Sequence, residues 1–131
     1  MIRLRSARNC GGASAVESAL TAPLFLMLIF GIIESGLVMW THASLQHGVE
    51  LAARCASIDK VTCPDSNSTT AYAAKNMYGL NPSPSVINVD TPACGNRVRA
   101  TYNYNSLVGY LGMPPLTLSA ASCFPRSGSR T

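Results

Sequence analysis

The sequence predicts an α+β fold in which one long N-terminal membrane-spanning helix precedes a small extracytoplasmic domain with a short helix and a three-stranded antiparallel sheet. The first observation is a run without any charge between Glu17 and Glu34. The second is helical spacing of apolar residues beyond that run, and the third is apolar alternation near the C-terminus. Only 12% of the 131 residues are charged, against about 25% in soluble domains. A water-soluble monomer is therefore not expected.

The first twelve residues form a basic leader. Three of the ten basic residues, Arg3, Arg5 and Arg8, lie in it, and without them the net charge falls from +4 to +1 (4 − 3 = 1). The remainder carries no basic stripe with interleaved aromatic residues, so no nucleic-acid partner is expected. Arginines ahead of an apolar run place the N-terminus in the cytoplasm by the positive-inside rule.

Residues 18–40 form the apolar run. At about 1.5 Å per residue they reach about 34 Å as a helix, enough to cross a hydrocarbon core of about 30 Å once. Small residues precede the run rather than follow it, which argues against ordinary signal-peptide removal. We expect a single-pass membrane protein, with its C-terminal domain outside the cytoplasm.

Helical periodicity continues beyond the run. We predict one helix over 13–57, transmembrane over about 18–40 and amphipathic over 41–57, with a bend or a loosened turn at Pro23 because proline lacks a backbone donor. The apolar residues that recur at spacings of three and four are Leu45, Val49, Ala52, Ala53 and Ala56.

Glu17 and Glu34 bound the uncharged stretch and need partners or water, because a carboxylate inside a bilayer is costly. Glu17 at the helix start is also favoured by the helix dipole, and Glu34 can snorkel to the outer interface. Small neighbours allow close helix contact, which makes both glutamates candidate assembly residues. These neighbours are Ala13, Ala15 and Ala19 at the first site, and Gly31, Ser35 and Gly36 at the second.

Residues 58–131 are predicted to form the extracytoplasmic domain. A loop over 64–68 leads to a helix over 69–78, with Ser68 as its cap and Gly79 at its end. Alternating residues predict strands over 85–91, 97–104 and 116–124, with a turn over 92–96 and a loop over 107–115. The core is small, so disulfides or neighbouring subunits are expected to stabilise it.

The N-terminal motifs resemble the TadE-like family, minor pseudopilins of the tight-adherence (Flp) type IVb pilus system. The first motif, a glycine five residues before a glutamate, also resembles the processing site of type IV pilin-like proteins in general. The resemblance rests on GASAVE at 12–17, SAL at 18–20, PL at 23–24, FGIIESG at 30–36, LQ at 45–46, AAR at 52–54 and, more weakly, VRATY at 98–102.

The resemblance implies cleavage between Gly12 and Ala13 by a prepilin peptidase on the cytoplasmic side. Glu17 then becomes the fifth residue and is expected to pair with the new amine of Ala13 on an adjacent subunit. Implied partners are that peptidase, the membrane, and other pilin or pseudopilin subunits and tight-adherence assembly proteins. Entry into a pilus and retention in the membrane machinery both stay open. Ser18 and Ser35 depart from the aromatic residues frequent in the family.

Cysteine parity fits this processing. Of five cysteines, Cys10 departs with the leader, which leaves Cys55, Cys63, Cys94 and Cys123 as disulfide candidates on the oxidising side. Three pairings are possible, and Cys55–Cys123 with Cys63–Cys94 is favoured here. A zinc site is the competing interpretation, but the spacings lack paired metal-binding knuckles.

Catalytic motifs are not evident in the sequence, and we expect neither an enzyme nor a cofactor nor a metal. His42 and His47 lie five apart, which is not a one-face metal spacing on a helix. The alternative function is a single-pass membrane-anchored binding or adhesion module that is not processed as a pilin. Its contact residues would include Tyr102, Tyr104 and Tyr110, although core packing is favoured for the first two.

Overall fold

The computed structural model describes residues 11–106 and 114–126. Most of the predicted leader, with Cys10, and most of the predicted 107–115 loop, with Tyr110, lie outside the described residues. The order of elements confirms the α+β class. In chain order they are α1 (Gly11–Ile58), α2 (Ser66–Lys75), a 3₁₀ turn (Pro84–Val86), β1 (Ile87–Asp90), β2 (Asn96–Tyr104) and β3 (Leu116–Phe124).

Contacts divide the chain into two units, Met1–Ser35 and Gly36–Thr131. In the described part, the N-terminal unit is the first half of α1, and its side chains are almost all exposed. The C-terminal unit holds the second half of α1, α2 and the sheet. The predicted long helix is therefore present, and α1 runs through Pro23 without interruption.

Helix α2 begins three residues earlier than the predicted 69–78. Asp65, not Ser68, is the N-cap, and Ser68 occupies the third helical position of a capping box: its amide donates to the Asp65 carboxylate (2.8 Å), and its hydroxyl accepts from the Asp65 amide (3.2 Å). The helix ends at Lys75, with Asn76 as the C-cap. Gly79 adopts φ +75° in the turn that follows, where a left-handed residue is needed.

The three strands form one antiparallel sheet in the order β1-β2-β3, as predicted. Strand β1 is shorter than the predicted 85–91 because the 3₁₀ turn continues to Val86. Strand β2 lies in the centre and pairs along its full length with β3, from Asn96 opposite Phe124 to Tyr104 opposite Leu116.

The core lies between the second half of α1, α2 and one face of the sheet. Val98 and Ala100 of β2 are fully buried, and Tyr102 and Tyr104 pack half-buried against the same cluster, as predicted for that strand face. The predicted apolar face of 41–57 is buried as well. The buried cluster comprises Leu45, Val49, Ala52, Ala53, Ala73, Met77, Ile87, Val98, Ala100, Leu118 and Ala120.

All four cysteines expected on the oxidising side form disulfides, but the favoured pairing is wrong. The bonds are Cys55–Cys63 and Cys94–Cys123, with Cα–Cα distances of 5.9 and 6.3 Å. The first bridges the last turn of α1 to the loop directly after it. The second joins the β1–β2 turn to the end of β3, because antiparallel β2–β3 pairing carries Cys123 to the start of β2, opposite Arg97.

Candidate functional site

The predicted cleavage site lies at the start of α1. Gly12 and Ala13 both belong to its first turn, and Gly12 is exposed. Among the described residues, and apart from the backbone of its own helix turn, a side chain at position 12 would meet no atom within 4 Å. No described side chain therefore crowds the predicted cleavage glycine.

Glu17 lies four residues after Ala13, so both residues share one face of the helix. Its side chain is exposed, whereas Glu34 is half-buried. The structure does not bring the two glutamates together, because 17 residues of helix separate them by about 25 Å. Any joint role in assembly must then act at two separate heights of the helix.

The first half of α1 presents an apolar surface that no other part of the described chain covers. The most apolar 18-residue window has a mean hydropathy of 2.1 and none of it is buried. Leu20 and Leu24 are each 70% exposed, and Met27 is 73% exposed. A soluble monomer does not leave such a surface in water, and the helix is long enough to cross a membrane.

Three hydroxyl groups on α1 donate hydrogen bonds to backbone carbonyls of the same helix. The Thr21 hydroxyl donates to the Glu17 carbonyl (3.0 Å), the Ser35 hydroxyl to Gly31 (2.7 Å) and the Thr41 hydroxyl to Leu37 (2.8 Å). Such i−4 bonds satisfy polar side chains without an outside partner. These hydroxyls are therefore compatible with lipid or with a neighbouring apolar helix.

At the other end of α1, Asn96 couples the sheet to the helix. Its side-chain amide donates to the Ala56 carbonyl and to the Ser57 hydroxyl, both at 3.0 Å, and the Ser57 hydroxyl is 3.1 Å from the Phe124 carbonyl. Asn96 is only 7% exposed. Sequence reasoning missed it, and the signal was the preceding Gly95, which at φ +126° carries the chain tightly past Phe124.

Acidic side chains of the C-terminal unit stabilise turns, a helix cap and a strand pair. Hydrogen bonds from Arg97 lower the pKa of Asp90, and the same pair raises the pKa of Arg97. Hydrogen bonds from Thr62 lower the pKa of Asp59, and those from Ser68 lower the pKa of Asp65. These carboxylates stay ionised and already have donors, which suits structural roles.

The two histidines lie apart from these carboxylates. His42 is exposed, and the His47 ring stacks on Tyr78 with centroids 5.7 Å apart. Across 11–106 and 114–126, no three His, Cys, Asp or Glu side chains are placed to hold a metal ion together. Tyr102 and Tyr104 pack against the core, which confirms the favoured interpretation of both, and Tyr110 lies outside the described residues.

The fold and the exposed helix together define the class: an α+β protein whose N-terminal apolar helix is a candidate membrane span. Residues 12–54 match the family model of the TadE-like protein, which confirms the resemblance for about a third of the chain. The match runs from the predicted cleavage glycine into the buried half of α1. It indicates involvement in tight-adherence pilus systems and association with the membrane and the pilus machinery. Neither the curated proteins nor the solved structures contain a match.

Proposed function

We propose that this protein is a minor pseudopilin of a tight-adherence (Flp) pilus assembly or secretion system. A prepilin peptidase cleaves it between Gly12 and Ala13, and it then assembles with other pilin or pseudopilin subunits through α1. The observation that carries the proposal is the uncovered apolar surface of the first half of α1, within the segment that matches the TadE-like family. Its role is structural rather than enzymatic, and it needs no cofactor.

Glu17 supports the proposal by its position. Glu17 is exposed at the edge of the apolar run, where its charge would lie unpaired at the membrane boundary. A comparable carboxylate costs about 2.5 to 3.5 kcal/mol at the bilayer centre on insertion scales, and the cost at the edge is smaller. Cleavage creates an amine at Ala13, one turn away along the helix. When subunits pack side by side, the amine of one and the carboxylate of the next satisfy each other. This pairing then stabilises the assembled state of the processed protein.

The disulfides support an extracytoplasmic C-terminal unit. Both bonds lie on the C-terminal side of the apolar run, and disulfides persist in the periplasm or outside the cell rather than in the cytoplasm. By the positive-inside rule, the basic leader favours a cytoplasmic N-terminus, on the side where the peptidase would act. The proposed topology is therefore single-pass in the inner membrane.

Two substitutions test processing and assembly separately. Gly12→Arg places a bulky cation at the cleavage position and should leave full-length protein in the membrane. Glu17→Ala should still be cleaved but should no longer co-purify with the other pilin subunits. Glu50→Ala is the matched control, since Glu50 is an exposed glutamate on the same helix beyond the apolar run.

Two quantities are measured for each variant. The first is whether the protein in membranes is full-length or cleaved, and the second is the amount of pilus subunits that co-purifies with it. Normal processing of Gly12→Arg contradicts the cleavage step. Equal recovery of subunits with Glu17→Ala and Glu50→Ala contradicts the assembly role of Glu17 and favours the alternative of a simple membrane-anchored binding module.

A further inference from the structure

A groove lies where the apolar run of α1 ends. It is lined by Trp40, Ala43, Ser44, His47 and Tyr78, and we call it the aromatic groove; its volume is ≈ 250 Å³. The Trp40 side chain is 64% exposed and that of Tyr78 is 61% exposed, although both are large aromatic residues. The His47 ring stacks on Tyr78. Its lining is almost entirely apolar.

The far wall of the groove belongs to the turn after α2, which contacts α1 at this point. The Ser44 hydroxyl donates to the Tyr78 carbonyl at 2.8 Å. A side chain at position 79 would come within 3.4 Å of the Trp40 indole nitrogen, so the turn reaches the height of Trp40 itself. The positive φ of Gly79 allows this close approach. The C-terminal unit thus extends down to the last residue of the apolar run.

The height of the groove along α1 corresponds to the headgroup layer. Trp40 closes the apolar run of 18–40, and Ser44 lies about 6 Å further along the helix. A bilayer is about 40–45 Å thick with headgroups and about 30 Å without, which leaves about 5–7.5 Å of headgroup layer on each side. With Trp40 at the edge of the hydrocarbon core, Ser44 and the Tyr78 carbonyl to which it bonds would fall within that layer.

The chemistry of the groove fits the same layer. Tryptophan and tyrosine favour the membrane–water interface because each combines an apolar ring with a polar group. Lys75 is exposed in the last turn of α2, three residues before Tyr78, where an ammonium group suits lipid phosphates. The continuity of the groove with the apolar run favours lipid over a protein as its occupant.

We propose that the aromatic groove is embedded in the headgroup layer of a phospholipid bilayer, so that the turn after α2 contacts lipid as well as α1. The inference rests on the proposed membrane anchoring and adds a second contact to it. Two contacts at one height restrict the tilt of the C-terminal unit over the membrane. The unit therefore presents its sheet at a fixed height before any assembly step.

Fluorescence quenching by lipid tests this directly, because Trp40 is the one tryptophan in the chain. The full chain is reconstituted in phosphatidylcholine vesicles that contain a lipid with a headgroup spin label. The indole is then moved: Trp40→Phe combined with Tyr78→Trp reads the groove, and Trp40→Phe combined with Val61→Trp is the control. Val61 is 92% exposed and lies beyond the end of α1, far from the apolar run.

The inference expects headgroup quenching at position 78 comparable to that at Trp40, and loss of quenching at position 61. If position 78 behaves like position 61 while Trp40 is quenched, the lipid contact of the groove is refuted and membrane anchoring stands. If none of the three is quenched, the anchoring itself fails. If the indole at position 78 is shielded from both the lipid label and aqueous acrylamide, the groove holds a protein. That result also refutes the inference.

A second variant keeps the test decisive if Tyr78→Trp does not fold. Ala43→Trp in the Trp40→Phe background places the indole on the α1 wall of the same groove, at an exposed position about 4.5 Å beyond Trp40 along the helix. Intact disulfides, shown by the lack of alkylatable thiols after the leader is removed, confirm the fold of each variant. The same quenching pattern is expected, and its absence at position 43 counts against the lipid contact.

Discussion

Loss of the Cys94–Cys123 disulfide should destabilise the C-terminal unit more than loss of Cys55–Cys63. The two bonds span 29 and 8 residues of chain. Cross-linking lowers the entropy of the unfolded chain more for a longer loop, by about 3.6 kcal/mol for the first bond and about 2.5 kcal/mol for the second at 25 °C. The expected difference in the free energy of unfolding is about 1.1 kcal/mol.

The perturbations are two double substitutions, Cys94→Ser with Cys123→Ser and Cys55→Ser with Cys63→Ser. Urea unfolding of the detergent-solubilised full chain, followed by the circular dichroism of the sheet, gives the midpoint and slope for each variant. Alkylation without reduction, read by mass, counts the free thiols in the processed chain. Each double variant should retain the other disulfide, so it should contain no free thiol.

Two results would refute this reasoning. If Cys55→Ser with Cys63→Ser leaves two alkylatable thiols, Cys94 and Cys123 are not partners and the pairing is wrong. If the variants retain the correct bonds but the Cys55–Cys63 loss is the more destabilising, then loop length does not dominate. Local order at the end of α1 would then matter more than the entropy of the unfolded chain.

Three further substitutions test the packing and the caps by urea unfolding. Asn96→Ala removes the buried amide that bonds to Ala56 and should lower the free energy of unfolding by about 1–3 kcal/mol. Gly48→Ala should also lower the free energy of unfolding, because the new methyl would lie 2.4 Å from the Met77 side chain. This clash outweighs the helix propensity that alanine adds. A higher free energy of unfolding would contradict that contact. The pKa of Asp65 is lowered, so its contribution to the free energy of unfolding is present above the unfolded pKa of about 3.9 and is lost as the pH falls through the folded pKa. Asp65→Asn should therefore make the acid-induced loss of stability shallower. An unchanged pH profile would contradict the cap.

Features that depend on local periodicity could be predicted from the sequence. The buried face of α1 followed from Leu45 and Val49, and the inward face of β2 followed from the alternation of Val98 and Ala100. Strand β3 matches its predicted range of 116–124. In each case the spacing of apolar residues alone decides which side meets the core.

The start of α2 was missed because two residues, Asp65 and Ser68, are both good caps. Ser68 alone favours the N-cap position, but in the capping box it is the third helical residue after the N-cap Asp65. The sequence does not distinguish a helix capped by Ser68 from one capped by Asp65. The helix then ends three residues before the predicted Tyr78, which frees Tyr78 to reach α1 through the following turn.

The disulfide pairing and the aromatic groove could not be predicted because both depend on long-range packing. The sequence suggested a disulfide between the end of α1 and the last strand. In the structure, hydrogen bonds of Asn96 and Ser57 make that connection instead, and Cys55 bonds to Cys63 in the adjacent loop. Trp40 ends the apolar run of the sequence, but its neighbour Tyr78 lies 38 positions away and comes close through the turn at Gly79.

The N-terminal sequence and intact mass of the protein from native membranes, with and without thiol alkylation, test the central claim most directly. Processing as a pseudopilin predicts a chain that begins at Ala13 and takes up no alkyl group until it is reduced, after which it takes up four. A chain that begins at Met1 and carries free thiols would contradict both the cleavage and the two disulfides, and would leave a membrane-anchored module that is not processed as a pilin.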